Sequence, residues 1–211
     1  MNRIPNAGVT WRVLAAIYLP ATATIAIVAA LSLYAGVPVG SLTRDRADLL
    51  GVHPVTGLLS NLGILVWSSC AFVALFSAIV LRKRDLEVAS RFLLSAGVLT
   101  LVLLFDDFFL FHEYLARNYL GIREEVVYAF YALATSSHLI LFRRLISRTE
   151  YHLLGAAFAF FAISIAVDMD PPASDSWLYL VEDGSKFLGI CSWCAYYVRT
   201  SFRFVVSSEE S

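Results

Sequence analysis

Asp106, Asp107, His112 and Glu113 fall within the octet DDFFLFHE, and the run LLSAGVLTLVLLF (Leu93–Phe105) leads straight into it. Side chains of these types move protons, bind cations, or act as acid and base on a bound substrate. At membrane depth each costs roughly 2.5–3.5 kcal/mol on insertion scales, so four in one apolar segment need a polar interior to face.

A second charged set, Glu182, Asp183 and Lys186, lies in the last apolar segment. Glu182 and Lys186 are spaced i, i+4 with the acid first, the favoured order on a helix. One reading of that pair is simple self-neutralisation. It leaves Asp106, Asp107, Glu113, Asp168 and Asp183 short of cations. An acid-rich cavity must bind a cation, hold protons, or meet bases from a loop, for which Arg117 and Arg123 are the candidates. Ser60 and Asn61 add polar groups at the same level.

On a straight helix Asp106 and Glu113 share a face, Asp107 lies about 100° to one side and His112 about 120° to the other. His112 would share its face with Phe105, Phe108 and Phe109, which also suits a packed histidine. A polar stripe, Glu124, Tyr128, Tyr131, Thr135 and His138, runs along the following segment at helical spacing. It reads equally as a core-facing hydrogen-bonding face or as a water or proton path. His138 lies too deep on it to join the outer cluster. The C-x-x-C of Cys191 and Cys194 sits in an apolar helix and reads as two small packing residues.

The elements that position these residues follow from composition. The chain has 211 residues, 59% hydrophobic and net charge −1, with a mean hydropathy of +0.71. That is an all-α, polytopic membrane protein, with no case for nucleic acid and too few Cys and His for a disulfide scaffold or thiolate zinc site. Six spans are expected in a single integral domain over 1–211: Trp11–Val37, Thr56–Leu81, Ser90–Ala116, Glu125–Ile146, Tyr151–Asp168 and Trp177–Thr200. The fifth is the shortest. The first follows Arg3 and Arg12 and could be a signal peptide, but it is long for one.

Lys and Arg set the orientation. With both termini cytoplasmic, the inner segments carry eleven bases: Arg3, Arg12, Arg82, Lys83, Arg84, Arg91, Arg143, Arg144, Arg148, Arg199 and Arg203. The outer loops carry four, Arg44, Arg46, Arg117 and Arg123. The ionisable residues then gather at one depth on the extracytoplasmic side, as a single polar cavity requires. The cell membrane is the expected location.

TGLLSN (Thr56–Asn61), FLFHE ending at Glu113, GIREEVVY, and E-D-G-S-K followed by FLGICSW resemble, in order and spacing, the CREST superfamily of membrane hydrolases, which includes the alkaline ceramidases. The resemblance implies a helix bundle and a zinc-activated water that attacks an amide. It places His112 at the first zinc histidine, Glu124 or Glu125 at the acid, and Glu182 and Lys186 where the last two histidines belong. Phe108 stands at the family's helical serine, and the family has seven spans.

The expected site therefore has Asp106, Glu113, Glu182 and Lys186 as catalytic candidates. Asn61, Asp107, Glu124, Tyr128, Asp168 and Asp183 are candidates for binding a small-molecule or lipid ligand. His112, Glu124 and Glu182 are candidates for one divalent metal, such as zinc, or a harder ion held through oxygen. Three functions compete: a lipid-directed amide or ester hydrolase, a proton- or cation-coupled carrier, and an assembly subunit. No inverted repeat supports the carrier.

Overall fold

The computed structural model describes residues 11–44, 46–168 and 176–207, and among them all regular structure is helical. The chain falls into two compact units, Met1–Thr56 and Gly57–Ser211.

The first unit holds α1 (Trp11–Ala35), α2 (Val39–Thr43) and α3 (Arg46–Leu50). In the apolar α1 the hydroxyls of Thr22 and Thr24 donate to carbonyls one turn back, Tyr18 at 2.7 Å and Pro20 at 2.9 Å. That internal satisfaction is what a polar side chain needs in a water-poor setting. Gly36, at φ +67°, ends the helix in the left-handed conformation.

The second unit holds α4 (Leu58–Lys83), α5 (Glu87–Phe109), a π-helical turn (Phe111–Leu115), α6 (Ala116–Leu120), α7 (Glu124–Leu141), α8 (Arg143–Ile146), α9 (Tyr151–Asp168) and α10 (Ser176–Ser207). Helix α4 packs against α5 on one side and α10 on the other, α9 packs on α10, and α7 packs on α5.

The residue pattern of α4 is the reverse of that in a water-soluble helix. Its buried stripe is Gly63, Trp67, Cys70, Ala71, Ala74, Ser77, Ala78 and Leu81. Its exposed side carries Leu65, Phe72, Phe76 and Ile79. Small residues inward and large apolar residues outward suit a lipid solvent, where close backbone approach drives helix association. The same logic holds at Gly97 of α5: a Cβ there would lie 2.7 Å from the Leu75 side chain and 3.2 Å from its backbone nitrogen. The Ser90 hydroxyl fastens α5 to α4 by donating to the Ala78 carbonyl at 2.8 Å.

Aromatic rings fill the middle of the unit. Trp67, Phe92, Trp193, Tyr196 and Tyr197 are all nearly inaccessible. Each of their polar atoms with a neighbour in reach uses it. Trp193 Nε1 donates to Thr100 Oγ1 at 3.0 Å, and the Tyr196 and Thr149 hydroxyls meet at 2.8 Å. Such pairing is needed because an unmet polar group here has no water to turn to.

Among the described residues four helices are long and apolar enough to cross a membrane: Ile17–Ala35 within α1, α4, α5 and α9. The segment expected to be the shortest span, α9, is among them. Helices α7 and α10 occupy the other two expected spans, but α7 has 18 residues with two acids in its first turn, and α10 carries Glu182, Asp183 and Lys186.

The unit has two chemically distinct ends. At one, the α4–α5 turn meets the α8–α9 turn and the last turns of α10: Arg84 Nη1 donates to the Val205 carbonyl at 2.9 Å, and Arg199 grips Glu150. This end is rich in Arg and Lys. The other end gathers the start of α4, the end of α5, and the starts of α7 and α10. There the buried acids lie.

Candidate functional site

The site begins with a break in α5. Leu110 adopts φ +52°, ψ +46° and caps the helix, its N–H donating to the Asp106 carbonyl. For a non-glycine residue this left-handed conformation is strained. The chain resumes as a π-helical turn, Phe111–Leu115, a local geometry often found at functional positions.

The break brings His112 back onto Asp106. In an unbroken helix residues six apart point about 240° apart and could not meet. Here the His112 backbone N–H donates to Asp106 Oδ1 at 3.0 Å, and His112 Nδ1 lies 2.5 Å from Asp106 Oδ2. From α7 the Tyr131 hydroxyl donates to Asp106 Oδ1 at 2.7 Å, and the Tyr128 ring packs beside the imidazole, centroids 5.1 Å apart. Asp106 and His112 are each 8% exposed. The three bonds are the compensation a buried carboxylate requires.

The next residue makes a second pair across the bundle. Asp107, also 8% exposed, accepts a hydrogen bond from Lys186 Nζ of α10. The lysine side chain is 35% exposed, so its stem is packed while its head reaches inward. Ser60, Gly63, Asp107, Asp183, Lys186 and Phe187 border a small cavity of about 20 Å³. That volume holds about one water molecule. At Gly63, on its border, a Cβ would press on Ile190 at 3.1 Å.

The polar stripe of α7 faces the protein interior but serves two separate places. Tyr128 and Tyr131 reach the outer cluster. Deeper, His138 is spanned by Ser95 Oγ at Nδ1, 2.7 Å, and by Tyr197 OH at Nε2, 3.0 Å. Both ring nitrogens are occupied, so His138 joins α5, α7 and α10 and stands apart from the Asp106 cluster.

Residues 13–200 match a family model described as Domain of unknown function (DUF8692). The chain belongs to this family. Comparison with curated proteins and with solved structures returns no match.

In this DUF8692 member several expected site residues fall elsewhere. Asn61 is exposed and does not border the cavity; its neighbour Ser60 does. Glu124 is met by Arg117 at 3.3 Å and Glu125 by Arg123 at 2.8 Å. The loop arginines thus neutralise the acids nearest them and not the buried ones. Asp168 is exposed at the end of α9, and Asp183 is an exposed rim residue. Glu182 is half-buried on α10. The side chain of Glu113 lies outside the described residues. Among the described residues no three of His, Cys, Asp and Glu are placed to hold a metal ion. His112, Glu124 and Glu182 are not gathered as a ligand set, Glu124 being turned to Arg117.

Tyr131, absent from the expected site, is a full member of it. Its signal was its place on the α7 stripe, three residues after Tyr128. Cys70, Cys191 and Cys194 are free thiols.

Proposed function

We propose that the polar end is the proton-binding site of a membrane protein that couples proton occupancy to helix position, as a carrier or pH-responsive element does. The observation that carries this reading is the Asp107–Lys186 pair beside a cavity with room for one water. A proton delivered through such a water would neutralise Asp107 and weaken its hold on the lysine head, loosening α10 from α5. Asp106, next in the chain, holds His112 and Tyr131 beside the pair. A cavity of this size admits a proton or water and excludes an acyl chain. Ion pairs at helix interfaces of this kind are natural elements of proton relays.

The membrane arrangement belongs to the same proposal. Six helices cross, both termini are cytoplasmic, and the Arg- and Lys-rich end faces the cytoplasm, as the positive-inside tendency favours. The polar end then opens to the extracytoplasmic face of the cell membrane.

A second reading is a lipid hydrolase of the CREST type. Asp106 holding His112 at Nδ1 favours it, since a carboxylate fixes a histidine in this way when the ring serves as a ligand or base. The described residues do not fit the metal that such chemistry uses, so no step is routed through one.

The test is proton movement in liposomes. With wild-type protein reconstituted and a pH gradient imposed, a trapped pH dye should report faster dissipation than in empty vesicles, and Asp107→Asn should abolish the difference. Equal rates for wild type, Asp107→Asn and empty vesicles, together with no proton uptake on acidification in detergent, would refute the reading.

A further inference from the structure

At the basic end, Val88 of α5, Arg144, Leu145, Arg148, Thr149 and Phe204 of α10 border an open groove of about 440 Å³. Its chemistry is divided. Val88, Leu145 and Phe204 make apolar walls, while Arg144 and Arg148, four residues apart across the α8 turn, supply two guanidinium groups.

These two arginines differ from Arg91, Arg199 and Arg203. Arg199 engages Glu150 with Nε and Nη2, the latter at 2.7 Å, and Arg203 Nη1 lies 3.7 Å from the same carboxylate. Arg91 pairs with Glu87 at 2.6 Å. Among the described residues no carboxylate pairs with Arg144 or Arg148. Two planar, five-donor cations over an apolar trough match a ligand with a phosphate head and a hydrocarbon body. The groove has the volume of a small-molecule site, and it lies at the end of a bundle whose neighbouring helices are long and apolar enough to cross a membrane.

We infer that this groove binds an anionic phospholipid, with the phosphate between Arg144 and Arg148 and the first acyl segment along Val88, Leu145 and Phe204. Basic pockets between membrane helices hold such headgroups, and each base near the surface contributes a factor of roughly five in affinity, so about 25-fold for two. The inference is independent of proton binding at the opposite end and shares with it only the membrane placement.

The experiment is native mass spectrometry of the full chain after detergent exchange, with phosphatidylglycerol or phosphatidylcholine added at equal concentration. Wild type is expected to retain one phosphatidylglycerol at roughly 25-fold lower lipid concentration than phosphatidylcholine. R144Q/R148Q should lose that preference, and R82Q/K83Q, which removes the same charge at the same end, should keep it. R144K/R148K keeps the charge if the glutamine variant fails to fold, and should retain a weakened preference because the paired donors are gone. Equal retention of the two lipids by wild type, or an unchanged preference in R144Q/R148Q, would overturn the inference. Displacement of the lipid by millimolar glycerol 3-phosphate would also overturn it, since the groove would then be a site for a soluble phosphate.

Discussion

His112 turns back on Asp106, six residues earlier in the same segment, and its Nδ1 lies 2.5 Å from the carboxylate. The left-handed Leu110 and the π-helical turn after it make that meeting happen. Asp106 therefore ends α5 as an organiser of the next turn, and Asp107 beside it is left to face α10.

Removing the tyrosine from this network should cost more than an ordinary surface change. Tyr131→Phe leaves Asp106 one bond short, and a hydrogen bond to a charged group contributes about 1.5–3 kcal/mol. Thermal unfolding in detergent measures it. A double-mutant cycle of Tyr131→Phe with Asp106→Asn should be non-additive, because the two share one bond. Strict additivity would place Tyr131 outside the network.

Lys186→Ala should be worse than Lys186→Ala combined with Asp107→Ala. Breaking one side of a buried pair costs about 3–5 kcal/mol, while removing both can approach neutrality. The stabilities of the two variants decide it. A double variant at least as unstable as the single would mean that Asp107 has other support.

Glycine substitutions should separate tight from open helix faces. Gly97→Ala pushes a methyl into Leu75 at 2.7 Å and should destabilise by about 1–3 kcal/mol. Gly155→Ala meets nothing within 4 Å and should be neutral or stabilising by up to about 1 kcal/mol. Unfolding curves of the two variants in the same detergent give the comparison.

At the basic end, pH dependence follows from Glu150. The Arg199 guanidinium holds its carboxyl below the ordinary 4.5. A lowered acid contributes fully above its unfolded value and loses its contribution as pH falls through the folded one. Glu150→Gln should therefore unfold earlier than wild type at pH 7, and the two curves should converge as pH drops below 4.5. A constant gap down to strong acid would show that the pair does not titrate as a unit.

The helices were legible because their apolar runs are long: α4, α5 and α9 stand close to their expected places. The structure brings Asp106, Asp107 and Lys186 to one end. Their partners were not legible in the sequence. The break at Leu110 carries neither Gly nor Pro, so a straight helix put Glu113 with Asp106 and turned His112 away. Spacing within one helix makes a Glu182–Lys186 contact readable, whereas the register between α5 and α10, which sets Lys186 on Asp107, depends on packing. Arg117 and Arg123, candidates for the deep acids, meet Glu124 and Glu125, which lie nearer in the chain.

The measurement that bears most directly on proton binding is infrared difference spectroscopy of the lipid-reconstituted protein with and without an imposed proton gradient. Wild type is expected to show a carboxylic-acid C=O band under the gradient that is missing from Asp107→Asn, with a matching change in the lysine ammonium region. Identical difference spectra for wild type and Asp107→Asn would contradict the assignment of the polar end as a proton-binding site.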